Sequence, residues 1–549
     1  MRSMRAFRAL GSLGGRALKS KTLGPKSAFN IPRSAISSST QKGQSLSTDA
    51  VKTTLWTPHS LKVSASSNET SDTSSTLKSV KTPRKHLAYI ALGSNLGNRI
   101  EWIEKACNLM EERGLNIKRT SGLWETEPMY VKDQDQFLNG VAEVETSLEP
   151  IALLDALQSI ENFLGRVKVV DKGPRNIDLD ILLYDDQLVG HPRLTIPHIL
   201  MREREFVLRP LAELIPGKAL DSKNPWKVTQ DYLNDLPPTD SPMTTVTPLC
   251  PNMEPLRGLD SQRKTRIMAI FNATNDSFSN DLKQGASDEP TTQYDIIEQA
   301  IKTFWSQFMD VKPYTLWTNA IIDIGGQSTA PKAPEVSPGE EKARVLQAIQ
   351  SIPSRMNRNI SVDTYRASVA EAAVNAGATI INDVSAGTMD PAMLPTMAKL
   401  GVTVILMHMR GTPQTMSSLT YYPNGLIPTI ASELLERVAA AEAAGIRRWR
   451  IILDPGIGFA KSASQNLEIL RRFEELRDWP GLRGLPWLLG SSRKGFIGKI
   501  TGVEKPSERV WGTAATVVAA VQGGADIVRV HDVGEMGQVA SMADAIWRS

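Results

Sequence analysis

The sequence predicts two globular domains of different class, a mixed α+β sandwich followed by a (β/α)8 barrel. Three observations carry this. A chain of 549 residues exceeds the size at which one hydrophobic core keeps growing, so it divides. Regular apolar patterning starts at His86, runs to about Leu236, and is broken by the Pro/Thr-rich stretch PPTDSPMTTVTPLCPNMEP, which has the composition of a linker. Beyond the break come eight short apolar runs with Ala/Glu/Lys/Arg-rich helical stretches between most of them, the count and order of a closed parallel barrel.

Residues 1–48 carry Arg2, Arg5, Arg8, Arg16, Lys19, Lys21, Lys26 and Arg33, and no acid precedes Asp49. This is the composition of a mitochondrial presequence, with Arg2, Arg5 and Arg8 able to share a short amphipathic helix with Phe7 and Leu10. A merely disordered basic tail, and hence a cytoplasmic protein, is the alternative. Residues 49–85 are rich in Ser and Thr and poor in bulky apolar side chains, so burial cannot offset the entropy of ordering them, and disorder is expected.

In the first domain, residues 86–236, the strand-like runs LAYIAL, VAEVET and IDLDILLY alternate with helical segments over 99–113 and 150–164. Strand alternation in IDLDILLY puts Ile177, Leu179, Ile181 and Leu183 on one face and Asp178 with Asp180 on the other. Carboxylates about 7 Å apart repel by roughly 2 kcal/mol at an effective dielectric near 20 unless cations intervene. Arg166, Lys168, Arg175, His198, Arg202 and Arg204 surround them in sequence, as a polyphosphate demands. The bland alternative is a solvated edge strand. LGSNLGN has no Lys-Ser/Thr after its glycines, so it is a turn into the helix near Arg99 and not a P-loop.

After a linker over 237–262, the barrel domain occupies 263–549. Asn272, Asp323, Asp363, Asn382, His408, Asp454, Lys494 and His531 stand at or just beyond the ends of its apolar runs, the end at which barrel sites are built. One such residue is more often a cap; eight in eight units predict a site. The net charge of +4, with much of the excess in the first fifty residues, gives no reason to expect nucleic acid as a partner. No apolar run is long enough to span a bilayer, so no membrane partner is expected. Cys107 and Cys250 are far apart and without metal-ligand company, which excludes a disulfide framework or zinc site.

The strings NATNDSFS, DIGGQSTAP, SVDT, IND, LMHMRGTP, DPGIGFAK, SSRKGF and RVHD, in this order, resemble dihydropteroate synthase across nearly the whole second domain. GPRNIDLDILLY, with QFLNG and REFVLRP, resembles 6-hydroxymethyl-7,8-dihydropterin pyrophosphokinase. The double resemblance implies a ferredoxin-like first domain, a TIM barrel, and two folate-synthesis steps in series, with ATP, the dihydropterin and para-aminobenzoate as substrates. For the first domain it implies two magnesium ions on Asp178 and Asp180. Arg166, Lys168, Arg175, His198 and Arg204 then contact the nucleotide, with Arg166 and Arg175 also catalytic. Phe137 and Phe206 sandwich the pterin and Asn139 binds its edge. For the barrel it implies one magnesium on Asn272, phosphate contacts from Arg529 and His531, and a pterin held by Asp363, Asn382, Asp454 and Lys494. Thr329, Met407, Phe459 and Ser492 complete that pocket, the last two toward para-aminobenzoate, and the barrel mediates a homodimer or higher homo-oligomer. Loops over 274–284 and 327–337 close on the site. Asn275, Gln327 and Ala330 depart from the family's usual Pro, Glu and Arg, and Lys172 replaces a common aromatic.

Overall fold

The computed structural model describes residues 84–129, 133–166, 173–239, 241–273, 320–330, 333–352 and 359–548. The expected presequence, all but the end of the expected disordered segment, Lys168, Lys172 and the loop over 274–284 with Asn275 lie outside the described residues.

The first domain opens with β1 (His86–Ser94), α1 (Arg99–Glu112), β2 (Asn116–Thr120), β3 (Leu123–Thr126), β4 (Phe137–Thr146), α2 (Pro150–Phe163) and β5 (Asp178–Tyr184). A ribbon of β6 (Val189–His191) and β7 (Leu194–Ile196) follows, then α3 (Glu205–Leu214) and α4 (Thr229–Asn234). Both early helices start where capping chemistry favours it. The Glu101 amide donates to the Asn98 side chain at the head of α1, and Pro150 occupies the first turn of α2, where its missing N–H costs nothing. The two bury Ile103, Ala106, Cys107 and Met110, and Leu153, Leu154, Leu157 and Ile160, on one face of the sheet. Val207, Leu208, Leu211 and Leu214 of α3 cover the other face.

Two features of this sheet depart from the sequence reading. First, β1 pairs with β5 as Ile90 with Ile181 but Tyr89 with Leu183, so Leu182 is an extra residue, a β-bulge. Beyond a bulge the alternation inverts. Ile177, Leu179 and Ile181 join the α1/α2 core as expected, but Leu183 falls with Leu182 on the α3 side. Second, the stretch over 237–262 is more than a linker. It supplies β8 (Thr244–Thr247) and β9 (Leu256–Arg257), which extend the first sheet to the order β5-β1-β4-β3-β8-β9, with β2 also on β4. Its Leu249, Cys250, Met253 and Leu256 then cluster with Met268, Ile321, Ile380, Ile405, Ile452, Leu488 and Ile527, residues from seven barrel strands, none later than the strand's midpoint. The Pro-rich segment therefore seals the barrel's lower end, and the apolar residues scattered in it are the reason.

The barrel strands are β10 (Arg266–Asn272), β11 (Ile321–Gly325), β12 (Ile360–Asp363), β13 (Ile380–Asp383), β14 (Thr403–Met407), β15 (Ile451–Asp454), β16 (Leu488–Leu489) and β17 (Ile527–Val530). They pair in the order β15-β14-β13-β12-β11-β10-β17-β16, every pair parallel. A bridge between Leu453 and Trp487 joins the two ends. The described helices between and after strands are α5 (Pro338–Gln350), α6 (Ala367–Asn375), α7 (Met393–Leu400), α8 (Leu426–Ala443), α9 (Ala463–Arg471), α10 (Phe473–Arg477), α11 (Gly495–Thr501), α12 (Val510–Gln522) and α13 (Val533–Trp547).

The two domains belong to one compact unit. Trp449, just before β15, is buried in the core of the first domain, and its indole N–H donates to Glu104 of α1 at 2.7 Å. Arg450 reaches the same carboxylate at 2.8 Å, and Arg447 also pairs with it. No described helix is long and apolar enough to cross a membrane.

Candidate active sites

The first site is a cleft of about 170 Å³ on the α3 side of the antiparallel sheet, and its lining includes Phe137, Asn139, Arg175, Asp178, Asp180, His198, Arg204 and Phe206. Sheet register explains the convergence. Gly93 of β1 is paired with Asn139 of β4 on one side and with Asp178 of β5 on the other, so an amide, a bare glycine and a carboxylate stand in one row. A Cβ on Gly93 would lie 3.6 Å from Asp178 Cβ and 3.7 Å from Asn139 Oδ1; its absence leaves a trough between the two polar side chains. The Asn139 amide donates to Thr126 Oγ1 at 2.9 Å, which sets the orientation of its polar end. Phe137 and Phe206 are half-buried and carry Arg175 and Arg204 over their rings at 5.6 and 5.7 Å.

The acids are unequally satisfied. Asp178 is paired with Arg166 and Arg175, each at 2.6 Å. Asp180 is exposed to the cleft and makes no hydrogen bond or ion pair among the described residues. Crowding by the cleft walls, then the charges of Asp178 and Glu161, push its pKa up to about 7. Two adjacent hard carboxylates, one of them without a direct ion pair among the described residues, suit magnesium, which typically takes one or two carboxylates together with substrate phosphates. Burial, then Arg204, hold His198 below the usual imidazole range, so it is a neutral group at neutral pH. Arg202, counted in the basic set from sequence, turns instead to Asp221 at 2.7 Å. Glu161 was not anticipated: it accepts the Leu179 amide at 2.7 Å and pairs with Arg166, holding that arginine beside Asp178. Only its position in the last turn of α2, facing the acidic strand, could have pointed to it.

The second site lies at the C-terminal mouth of the barrel. Asn272 registers with Gly325, Gly325 with Asp363, Asp363 with Asn382, and Met407 with Asp454. As in the first domain, a glycine stands between an amide and a carboxylate. A Cβ on Gly325 would lie 3.6 Å from both Asn272 Oδ1 and Asp363 Cβ. At the centre Arg529 donates to Asp323 and Asp363, each at 2.6 Å, and the Asn382 amide donates to Asp323 at 3.0 Å. The other oxygens of Asp323 and Asp363 are buried and without a hydrogen-bond partner among the described residues. Burial raises Asp363 to about 7 even though Arg529 opposes it. Asp454, also raised by burial, accepts the Gly456 amide at 2.7 Å. Lys494 donates to the Ile457 carbonyl and sits 4.6 Å over the Phe459 ring; burial lowers it to about 8 although Asp454 opposes the change. Tyr365, Val384, Met407 and Phe459 form an apolar wall with Met389 and Met409.

Several barrel residues make protein contacts that the sequence reading did not anticipate. Arg529, expected on phosphates, is engaged by two carboxylates. Ser492, expected toward para-aminobenzoate, serves His531. Its oxygen accepts the His531 amide at 3.2 Å and lies within hydrogen-bond distance of Nδ1 at 3.0 Å, which fixes the ring's position. Burial, then Arg493, lower His531 to about 3, so it offers a neutral donor. His408 lies behind the pocket wall, between Lys461 and Glu433. Thr329 is half-buried on the loop after β11. That loop is held by Gln327, whose amide nitrogen donates to the carbonyls of Ser328 and Pro334 and whose oxygen accepts the Val336 amide. Asp323, flagged from sequence but without a role, proves to be the anchor of Arg529.

Two family models match the chain: 7,8-dihydro-6-hydroxymethylpterin-pyrophosphokinase over residues 89–216 and pterin binding enzyme over residues 319–531. The mitochondrial folate synthesis bifunctional protein of Arabidopsis thaliana is 37% identical over 515 residues, which cover 90% of this chain and 88% of that one. The folic acid synthesis protein fol1 of Pneumocystis carinii is 43% identical over 478 residues, covering 86% of this chain and 61% of its own length. A protein of the same name from Schizosaccharomyces pombe is similar, so the chain spans about 60% of the length of these fungal relatives. The fold matches the wild-type HPPK-DHPS of Plasmodium falciparum solved with pteroate, with a TM-score of 0.67 and 22% identity over 85% of this chain and 98% of that one.

Proposed function

Since this chain belongs to the bifunctional folate-synthesis family, which joins a pterin pyrophosphokinase domain to a pterin-binding barrel, we propose that it performs both steps. The first moves pyrophosphate from ATP to 6-hydroxymethyl-7,8-dihydropterin. The second condenses that product with para-aminobenzoate to give 7,8-dihydropteroate and pyrophosphate. The observation that carries this reading is the repeated site plan: each pocket sets an aromatic wall beside an amide and carboxylates, with basic groups at its end.

In the first pocket Phe137 and Phe206 flank the ring and Asn139 binds its edge. The pterin hydroxyl then points along the trough over Gly93 toward Asp178 and Asp180. Arg166, Arg175, His198, Arg204 and Lys168 serve the triphosphate. Asp178 and Asp180 fit two magnesium ions, which would screen phosphate charge and orient the transferred group. In the barrel Asp454, Asn382 and Lys494 orient the ring, with Asp363 at its far side, while Met407 and Phe459 face the aromatic amine and Thr329 the loop side. The amine nitrogen bonds to the pterin methylene carbon as the carbon–oxygen bond breaks; pyrophosphate leaves and the amine proton passes to water. Alignment of two bound reactants supplies about 7–11 kcal/mol, so no enzyme nucleophile is needed. His531 and Arg529 offer N–H groups to the leaving group, and Asn272, across the bare Gly325 from Asp363, fits one magnesium ion.

A mitochondrial location is part of this reading, supported by the acid-free basic stretch over 1–48 and by the plant relatives named mitochondrial. So is a homodimer through the barrel: Trp511 of α12 and Met542, Ile546 and Trp547 of α13 are exposed, an apolar surface of the kind that mediates association. The test is an assay of the purified chain with ATP, magnesium, the hydroxymethyl-dihydropterin and para-aminobenzoate, following AMP and dihydropteroate separately. Both products are expected, with AMP alone when para-aminobenzoate is omitted. Absence of either product overturns the reading.

A further inference from the structure

Between the Asp454 strand end and α9, residues 455–461 form a turn with three residues in the left-handed region. Gly456, Gly458 and Ala460 adopt φ of 69°, 81° and 50°, and the left-handed alanine carries a steric strain that the glycines escape. The turn also runs against the neighbouring loop. A Cβ on Gly456 would sit 2.0 Å from the His408 carbonyl oxygen, and the His408 amide donates to the Asp454 carbonyl at 2.9 Å.

Lys461 folds back beneath this turn. Its ammonium lies 3.0 Å from the Phe459 carbonyl oxygen, 2.9 Å from His408 Nδ1 and 3.5 Å from the His408 carbonyl, and the residue is 8% exposed. An ammonium only donates, so Nδ1 accepts and the Nε2 proton faces Glu433 Oε2 at 2.8 Å. Glu433 accepts in turn from Arg410 at 3.0 and 3.1 Å. Arg410 stacks on Tyr422 at 4.1 Å, and the Tyr422 hydroxyl donates to the Ala460 carbonyl at 3.0 Å. The loops after β14 and β15 are thereby tied at Phe459, Ala460 and His408.

We infer that Lys461 is a positioning residue for the condensation, acting through the Phe459 carbonyl and His408 to fix the wall against which the aromatic amine is aligned. This rests on the condensation proposed for the barrel. A buried charge is weak support for stability, because apolar replacements of similar size are often neutral. What an apolar side chain cannot do is bind a carbonyl and an imidazole at once. Lys461 holds the Phe459 carbonyl directly, whereas the Asp454 carboxylate is held by the Gly456 amide, so losing Lys461 disturbs the amine side of the pocket more than the pterin side.

The experiment is steady-state kinetics of the full chain carrying Lys461→Met, supplied with pterin pyrophosphate and para-aminobenzoate, with AMP release by the first domain as the folding control. The expected result is a KM for para-aminobenzoate raised about tenfold, a kcat lowered about tenfold and a KM for the pterin within about twofold, with AMP release unchanged. A merely structural lysine would lower kcat and leave both KM values alone, and that result overturns the inference, as does wild-type behaviour. Should Lys461→Met fail to fold, Glu433→Gln, two links away, is expected to give the same split at reduced size; two unchanged KM values there also overturn it. If the wild-type chain forms no dihydropteroate, the proposed function itself has failed and this inference falls with it.

Discussion

In the first domain the charged side chains stand on the open face of an antiparallel sheet, whereas in the second they are gathered inside the mouth of a closed parallel barrel. The two surroundings handle charge differently. On the sheet Asp178 pairs with two arginines, while Asp180 pairs with none among the described residues and faces the open cleft. In the barrel Arg529 clamps Asp323 and Asp363, and Asn382 adds a further donor, because a closed wall keeps out the water that would otherwise screen them. An open site leaves charge for incoming ligands to complete; an enclosed site neutralises most of its own. Both nevertheless use one device, a glycine between an amide and a carboxylate, Gly93 in one and Gly325 in the other.

The sharpest way to break the comparison is to disable one pocket at a time. Asp178→Ala is expected to lower AMP release on the order of a thousandfold while dihydropteroate still forms from supplied pterin pyrophosphate; Lys494→Ala is expected to stop condensation and spare AMP release. Loss of both activities in either variant would show that the pockets do not work separately. Next in size is the cost of removing the central cation. Arg529→Met leaves two buried acids facing each other and is expected to lose about 3–5 kcal/mol in urea unfolding, whereas Arg166→Met costs less because cleft water screens what remains. The reverse order would contradict the contrast between open and enclosed charge.

A third prediction concerns acid. His408 is held neutral by burial and by Lys461, with its pKa lowered to about 4. The unfolded chain takes up that proton near pH 6.5, so stability is lost as pH falls from about 6.5 to about 4, by roughly 3 kcal/mol for this group. Thermal unfolding midpoints across that window should fall steeply in the wild type and less in His408→Gln; equal slopes would exclude His408 as the source. The smallest effects are expected at the two glycines. Gly93→Ala and Gly325→Ala introduce contacts at 3.6 Å, which the fold tolerates, but each narrows a trough and should raise the pterin KM of its own domain a few-fold. A rise in the opposite domain's KM would remove the parallel.

The strongest local patterns were readable without coordinates. The eight apolar runs became eight parallel strands, and IDLDILLY put Asp178 and Asp180 toward one cleft because side-chain alternation is a local property. Its later part was misread: the bulge at Leu182 depends on pairing with Tyr89 and Ile90, about ninety residues earlier in the chain, and it moved Leu183 across the sheet. PPTDSPMTTVTPLCPNMEP has a linker's composition, yet its few apolar residues close the barrel floor, since what a Leu or Met contacts depends on what folding brings to it. His408 and Asp323 looked alike as polar residues at strand ends. One faces away into a loop tie and the other anchors Arg529, and no spacing rule separates them.

By itself the sequence determined the number and kind of domains, the order of the strands and the chemical types at their ends, because these follow from hydrophobic periodicity and short motifs that act over a few residues. Only the tertiary structure decided which acids share a cation, which histidine reaches the pocket, and that Trp449 of the barrel segment lies in the core of the other domain. Those outcomes depend on contacts between residues hundreds of positions apart, whose energies exist only once the chain has closed on itself.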